Sequence, residues 1–154
     1  MITFLFGSNR FALQSEVQRL QESFEEQFGP AGVEKFDGDD LAPARLGELL
    51  QGVSLFSSER MVILRSPGQQ RALWDSLGEW MERVPDEVHL VIVQPSPDKR
   101  TRTFKLLQQH AVLFEARELD EPSARKWVIA YGAQRKRTIT PKDAAHLIAR
   151  VGLD

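Results

Sequence analysis

Met61-Val62-Ile63-Leu64 is an unbroken apolar run flanked by Arg60 and Arg65. A run this short, without polar alternation, reads as a strand buried on both faces, as in a parallel sheet with helices on each side. His89 to Val93 has the same character, and so does Ile2 to Phe6, which Gly7 stops. Around these strands the apolar period becomes helical. Val17, Leu20, Phe24 and Phe28 follow the first strand, and Leu46, Leu49 and Leu50 give a short helix ending near Gly52. Leu73, Trp74, Leu77, Trp80, Met81 and Val84 make a third helical face, and Phe104 with Leu107 a fourth. Val33 to Phe36 and Val112 to Phe114 complete the strands. Five strands alternating with four helices predict an α/β fold, a three-layer parallel sheet, because parallel neighbours require crossovers and the helices cover both faces.

After Leu119 the pattern changes. Asp120 is placed to cap a helix with Pro122 in its first turn, with Ala124, Trp127, Val128 and Tyr131 along one face. A basic run, Arg135-Lys136-Arg137, precedes Thr140-Pro141-Lys142-Asp143, which reads as an N-cap, a proline at the first helical position and an acid at the third. Ala144, Ile148 and Val151 give this second helix its face. Two helices alone bury little, so the predicted organisation is a domain over residues 1–119 and, over 120–154, the beginning of a small helical domain, cut short.

The 154 residues contain no cysteine, which excludes a disulfide framework, a cysteine nucleophile and a thiolate metal site. His89, His110 and His146 are far apart, with no partner at ligand spacing, and no metal is expected. The apolar runs are too short to span a bilayer, and the N-terminus lacks a basic stretch leading into an apolar one, so the chain reads as soluble and cytoplasmic, with no membrane partner. The net charge of −2 hides an asymmetry: residues 1–90 carry 8 basic against 15 acidic side chains, and residues 91–154 carry 12 against 7. The second half therefore suits an anionic partner, although charge runs also serve simply as solvated faces.

Ile2 to Phe6, then Gly7 and a helix, is where a phosphate-binding loop would lie. Such a loop needs glycines to bring backbone amides to phosphate, a lysine for charge and a hydroxyl for magnesium. Counting from Gly7, these positions hold Ala12, Leu13 and Gln14, and the strand Val62-Ile63-Leu64 ends on Arg65 and Ser66 instead of a magnesium-binding acid. ATP hydrolysis is not expected. A nucleotide-hydrolysing ancestor that lost its catalysis, or a plain α/β domain, would each account for these absences. Glu22, Glu25 and Glu26 lie on the exposed side of a helix, Asp39 and Asp40 suit a turn, and there is no G-x-S-x-G elbow. No catalytic residue and no cofactor are predicted.

Two segments carry binding chemistry. Lys99, Arg100, Arg102 and Lys105 surround a strand-to-helix connection, where open α/β sheets receive anions; they are candidates for phosphate or DNA contact, or a solvated helix face. Gln51-Gly52-Val53-Ser54-Leu55-Phe56 joins a helix to a buried strand and sets two large apolar side chains among small polar ones. Phe56 either plugs the core under the loop or, with Leu55, is offered to a partner's pocket, where desolvated apolar anchors carry most of the binding energy.

The succession Ile2-Thr3-Phe4-Leu5-Phe6-Gly7, Phe36-Asp37-Gly38, Ser54-Leu55-Phe56, Asp98-Lys99-Arg100-Thr101, Trp127-Val128 and Arg150-Val151-Gly152 resembles the delta subunits of bacterial DNA polymerase III, in the clamp-loader group of AAA+ proteins. The resemblance covers essentially the whole chain. It implies a RecA-like, P-loop NTPase-type first domain with a degenerate loop and no ATPase activity, followed by a helical lid, here incomplete. It also implies binding to the ring-shaped sliding clamp, the beta subunit, through Gln51, Val53, Ser54, Leu55 and Phe56, with opening of one ring interface. Delta prime and the tau or gamma subunits would be partners through a C-terminal collar that this sequence lacks, and primed DNA would be met indirectly. The alternatives are a degenerate P-loop domain that binds a nucleotide without catalysis, with Lys99 and Arg100 as its phosphate site, and a DNA-binding module that adds Arg135 to Arg137 to the other cations.

Overall fold

A computed structural model describes residues 1–51 and 59–152. Five strands, β1 (Ile2–Phe6), β2 (Val33–Asp37), β3 (Arg60–Arg65), β4 (Val88–Val93) and β5 (Val112–Glu115), form one sheet in the order β2-β3-β4-β1-β5. Every pairing is parallel, with Phe4 level with Ile92 on one side and Leu113 on the other. The helices between them are α1 (Arg10–Phe28), α2 (Leu46–Gln51), α3 (Arg71–Trp80) and α4 (Arg102–His110).

Strand order determines the layers. From β1 the chain crosses to the far edge at β2, then steps back through β3 and β4 and over β1 to β5. Crossovers of one hand that run in opposite directions place their helices on opposite faces. Alternate strand residues separate accordingly. Phe4, Phe6, Val62, Leu64, Leu90 and Ile92 pack with Leu46, Leu50, Leu73, Leu77 and Leu107 of α2, α3 and α4. Leu5, Met61, Ile63, Val91 and Val93 face Leu13, Val17 and Phe24 of α1. The runs around Met61 and Leu90 are apolar throughout because both of their faces are covered.

Two helix ends have local causes. Helix α1 begins at Arg10, because Asn9 caps it by accepting a hydrogen bond from the Ala12 N–H at 2.9 Å. Helix α3 ends at Trp80 although apolar spacing continues, because Met81–Arg83 tighten into a 3-10 turn that still buries Met81.

The chain divides into two compact units, Met1–Ala116 and Arg117–Asp154. The second unit holds α5 (Glu121–Gln134) and α6 (Pro141–Val151). Asp120 caps α5 by accepting from the Ser123 N–H, which holds its carboxylate below the usual range. Thr140 and Asp143 form a reciprocal capping box on α6. The apolar face predicted for α5 is only partly covered: Ala124 is buried, whereas Trp127 is 39% exposed and stacks on Tyr131.

Gly7 lies where β1, β4 and β5 end together. Its φ is +125°, and a Cβ there would collide with the backbone of Ala116. Gly7→Ala is expected to destabilise the fold by about 2 kcal/mol or more, the sum of a disfavoured backbone region and a backbone clash; urea unfolding of the two proteins checks this.

Candidate functional site

In open α/β sheets ligands gather at the carboxyl ends of the strands, where adjacent strands lead to helices on opposite faces. Here those strands are β1 and β4, which lead to α1 and α4. The connection from β1 to α1 is only Gly7-Ser8-Asn9. The Gly7 N–H donates to the Pro95 carbonyl at 2.9 Å, the Asn9 N–H donates to Ala116 O at 3.1 Å, and the Asn9 side chain occupies the Ala12 amide. Three amides of this turn, those of Gly7, Asn9 and Ala12, are thus spent within the protein instead of facing a phosphate. The strand end that would carry a magnesium-binding acid holds Arg65, which is exposed, and Ser66 in the left-handed region at φ 51°.

Farther along the same edge, a cleft of about 560 Å³ opens between the first turns of α3 and α4 and the end of β4. Thr101 organises it. Its hydroxyl donates to the Asp98 carbonyl at 2.7 Å and accepts from the Trp74 indole N–H at 2.9 Å and from the Phe104 N–H at 3.3 Å, so one side chain caps α4 and ties it to α3. The buried Gln94 accepts from the Gly68 N–H at 2.8 Å and lines the floor.

The four predicted cations are all exposed, and two of them meet acids of the chain. Arg100 grips Asp98 through two 3.0 Å hydrogen bonds, and that contact lowers the Asp98 carboxyl to about 2. The Lys99 ammonium lies 3.8 Å from Glu115 and 5.7 Å from the centre of the Phe6 ring. Arg102 and Lys105 are exposed, and Arg102 lines the cleft beside Arg71. The structure therefore gives Lys99 and Arg100 partners within the chain and leaves Arg102 and Lys105 toward solvent.

Of the residues proposed for a clamp contact, Gln51 is the exposed last residue of α2, whereas Val53, Ser54, Leu55 and Phe56 lie outside the described residues. The anchors on either side are firm. Leu46 and Leu50 of α2 are fully buried. At the other side, Arg60 is 8% exposed and its guanidinium holds the Glu34 carboxylate at 2.7 and 3.0 Å. Beside it, His89 Nε2 meets Glu59 at 3.1 Å, with the imidazole edge-on to Phe24. Both anchors lie at the amino edge of the sheet, opposite the cleft. Sequence reasoning missed the Arg60–Glu34 pair, although an arginine opening an otherwise apolar buried strand demands an acid nearby.

Among the described residues there is no group of three or more His, Asp or Glu side chains able to hold a metal, and no helix is long and apolar enough to cross a membrane.

Fold and site together define an α/β domain with a five-stranded parallel sheet whose β1–α1 turn is bonded to its own backbone. Residues 4–117 match the family model described as DNA polymerase III, delta subunit, and the chain belongs to that family. Among solved structures it is similar to the DNA clamp loader delta protein of Bacillus subtilis, with a TM-score of 0.70 at 18% identity over 96% of this chain and 47% of that one. It is also similar to a DNA polymerase III gamma subunit-related protein of Thermotoga maritima, with a TM-score of 0.54 at 13% identity over 96% of this chain and 53% of that one. The chain thus spans about half the length of these structures. No curated protein matches it.

Because Arg100 causes the Asp98 shift, Arg100→Gln should return the Asp98 carboxyl from about 2 toward 3.8, as read from its carbon chemical shift in an NMR titration. A lowered folded-state pKa means that the contact's contribution is present above the ordinary carboxylate range and is lost as pH falls through 2.

Proposed function

We propose that this chain is the clamp-binding portion of a clamp-loader delta subunit and that it works by contact, not by turnover. The observation that carries the proposal is the family match over residues 4–117, a span that includes Gln51, Val53, Ser54, Leu55 and Phe56. The sequence supports it independently. Two large apolar side chains stand among small polar ones, between a helix and a strand whose own side chains already fill the core beside them. The closed turn at Gly7 supports the non-catalytic part of the reading.

In this account Leu55 and Phe56 enter an apolar pocket on a ring-shaped sliding clamp. Burying both contributes about 3–6 kcal/mol from area alone, before the costs of association. That energy shifts the ring toward an open interface only to the extent that the open ring binds better than the closed one. Residues 120–154 serve as the beginning of a lid, and delta prime and the tau or gamma subunits engage the remainder of a full-length subunit.

A second reading, phosphate contact at the carboxyl edge, is favoured by one feature. Arg71 and Arg102 line the same cleft at the first turns of α3 and α4, and Lys105 is exposed one turn on. DNA affinity that falls steeply with salt, and less steeply in Arg102→Gln/Lys105→Gln, supports it.

The first reading is tested by surface plasmon resonance against an immobilised bacterial sliding clamp. Leu55→Ala/Phe56→Ala is expected to weaken binding at least 30-fold, about 2 kcal/mol. Equal affinity of the two proteins would assign both side chains to the core instead.

A further inference from the structure

We infer that the turn between α5 and α6 is a nucleic-acid contact of this chain, with Lys136 and Arg137 meeting phosphates of the DNA backbone. The inference is independent of the Leu55–Phe56 reading and uses no residue of the first unit. Arg135, Lys136 and Arg137 are consecutive and all exposed. Their backbone is nevertheless fixed. The Lys136 N–H donates to the Ala133 carbonyl at 3.0 Å, and the Arg137 N–H reaches back to the Gly132 carbonyl at 2.8 Å. This is the paired closure of a helix C-terminus in which the residue after the cap adopts the left-handed region. Ile139 then folds over Gly132 so closely that a Cβ there would lie 2.6 Å from its Cδ1. The Arg135 guanidinium packs 4.6 Å above the centre of the Tyr131 ring. The cations are thus held on a built turn, whose ordering precedes any binding.

The residue at the left-handed position is the informative one. Lys136 has φ 57°, a conformation that glycine adopts without strain and lysine does not. Complementing the negative end of the helix does not require a cation there, because Arg135 and Arg137 already flank it. Three consecutive exposed cations on one fixed turn concentrate positive charge where a polyanion fits, and arginine and lysine side by side suit phosphodiester oxygens. Membership of a DNA polymerase III subunit family identifies the polyanion as DNA.

The test uses the 154-residue chain and a fluorescently labelled primer–template duplex, with binding followed by anisotropy over a range of salt concentrations. Lys136→Gly/Arg137→Gln should bind more weakly, and the slope of log affinity against log salt should become shallower by about two. Lys136→Gly alone should melt at a higher temperature while binding DNA less well, a split that a purely structural role would not produce. The inference is overturned if the slope stays at the wild-type value while Lys136→Gly still stabilises the fold. It is overturned equally if Arg102→Gln/Lys105→Gln accounts for the whole salt dependence, or if poly-glutamate of matched charge binds as tightly as the duplex.

Discussion

Everything at the carboxyl edge of the sheet depends on the way β1 ends. Gly7 terminates β1, which lies between β4 and β5, with an N–H bonded to Pro95, which follows β4, and with no room for a side chain against Ala116, which follows β5. Three parallel strands are thereby tied off at one point. The same contact that stabilises this junction occupies the first amide of the β1–α1 turn.

With that turn closed, the open space of the first unit lies farther along the same edge. The cleft between α3 and α4 is organised by Thr101, which satisfies the Trp74 indole while capping α4. At the opposite edge, the helix and strand that flank residues 52–58 are anchored by buried leucines and by the Arg60–Glu34 pair. A partly buried ion pair of this kind adds little net stability, but breaking it leaves a charge uncompensated, so it fixes where the strand starts. A rigid frame around an apolar pair is what a contact surface needs if binding energy is not to be dissipated in ordering the loop.

Much of the fold was legible because each signal had one physical cause. Strands buried on both faces are nearly all apolar, and the runs at Ile2, Met61 and His89 depart from that only at Thr3 and His89. The caps at Asp120 and Thr140 were legible because a side-chain oxygen before a helix has a defined amide to satisfy. Strand order was not legible, since nothing local in β4 says that it lies beside β1. The end of α3 was misread because Met81 packs on the core from a 3-10 turn almost as it would from a helix. For the site, composition identified the cations near residue 100 but could not distribute them; Arg100 and Lys99 turn to acids that lie two and sixteen positions away in sequence. The Leu55–Phe56 pair stood out in the sequence because two adjacent large apolar side chains on a tight connection do not easily both point inward.

The central claim is that this chain is a binding subunit of the clamp loader whose nucleotide site is closed. Isothermal calorimetry of the same chain against a purified bacterial sliding clamp and against magnesium-ATP tests it most directly. The account predicts saturable heat with the clamp and none with the nucleotide; saturable nucleotide binding without clamp binding would contradict it.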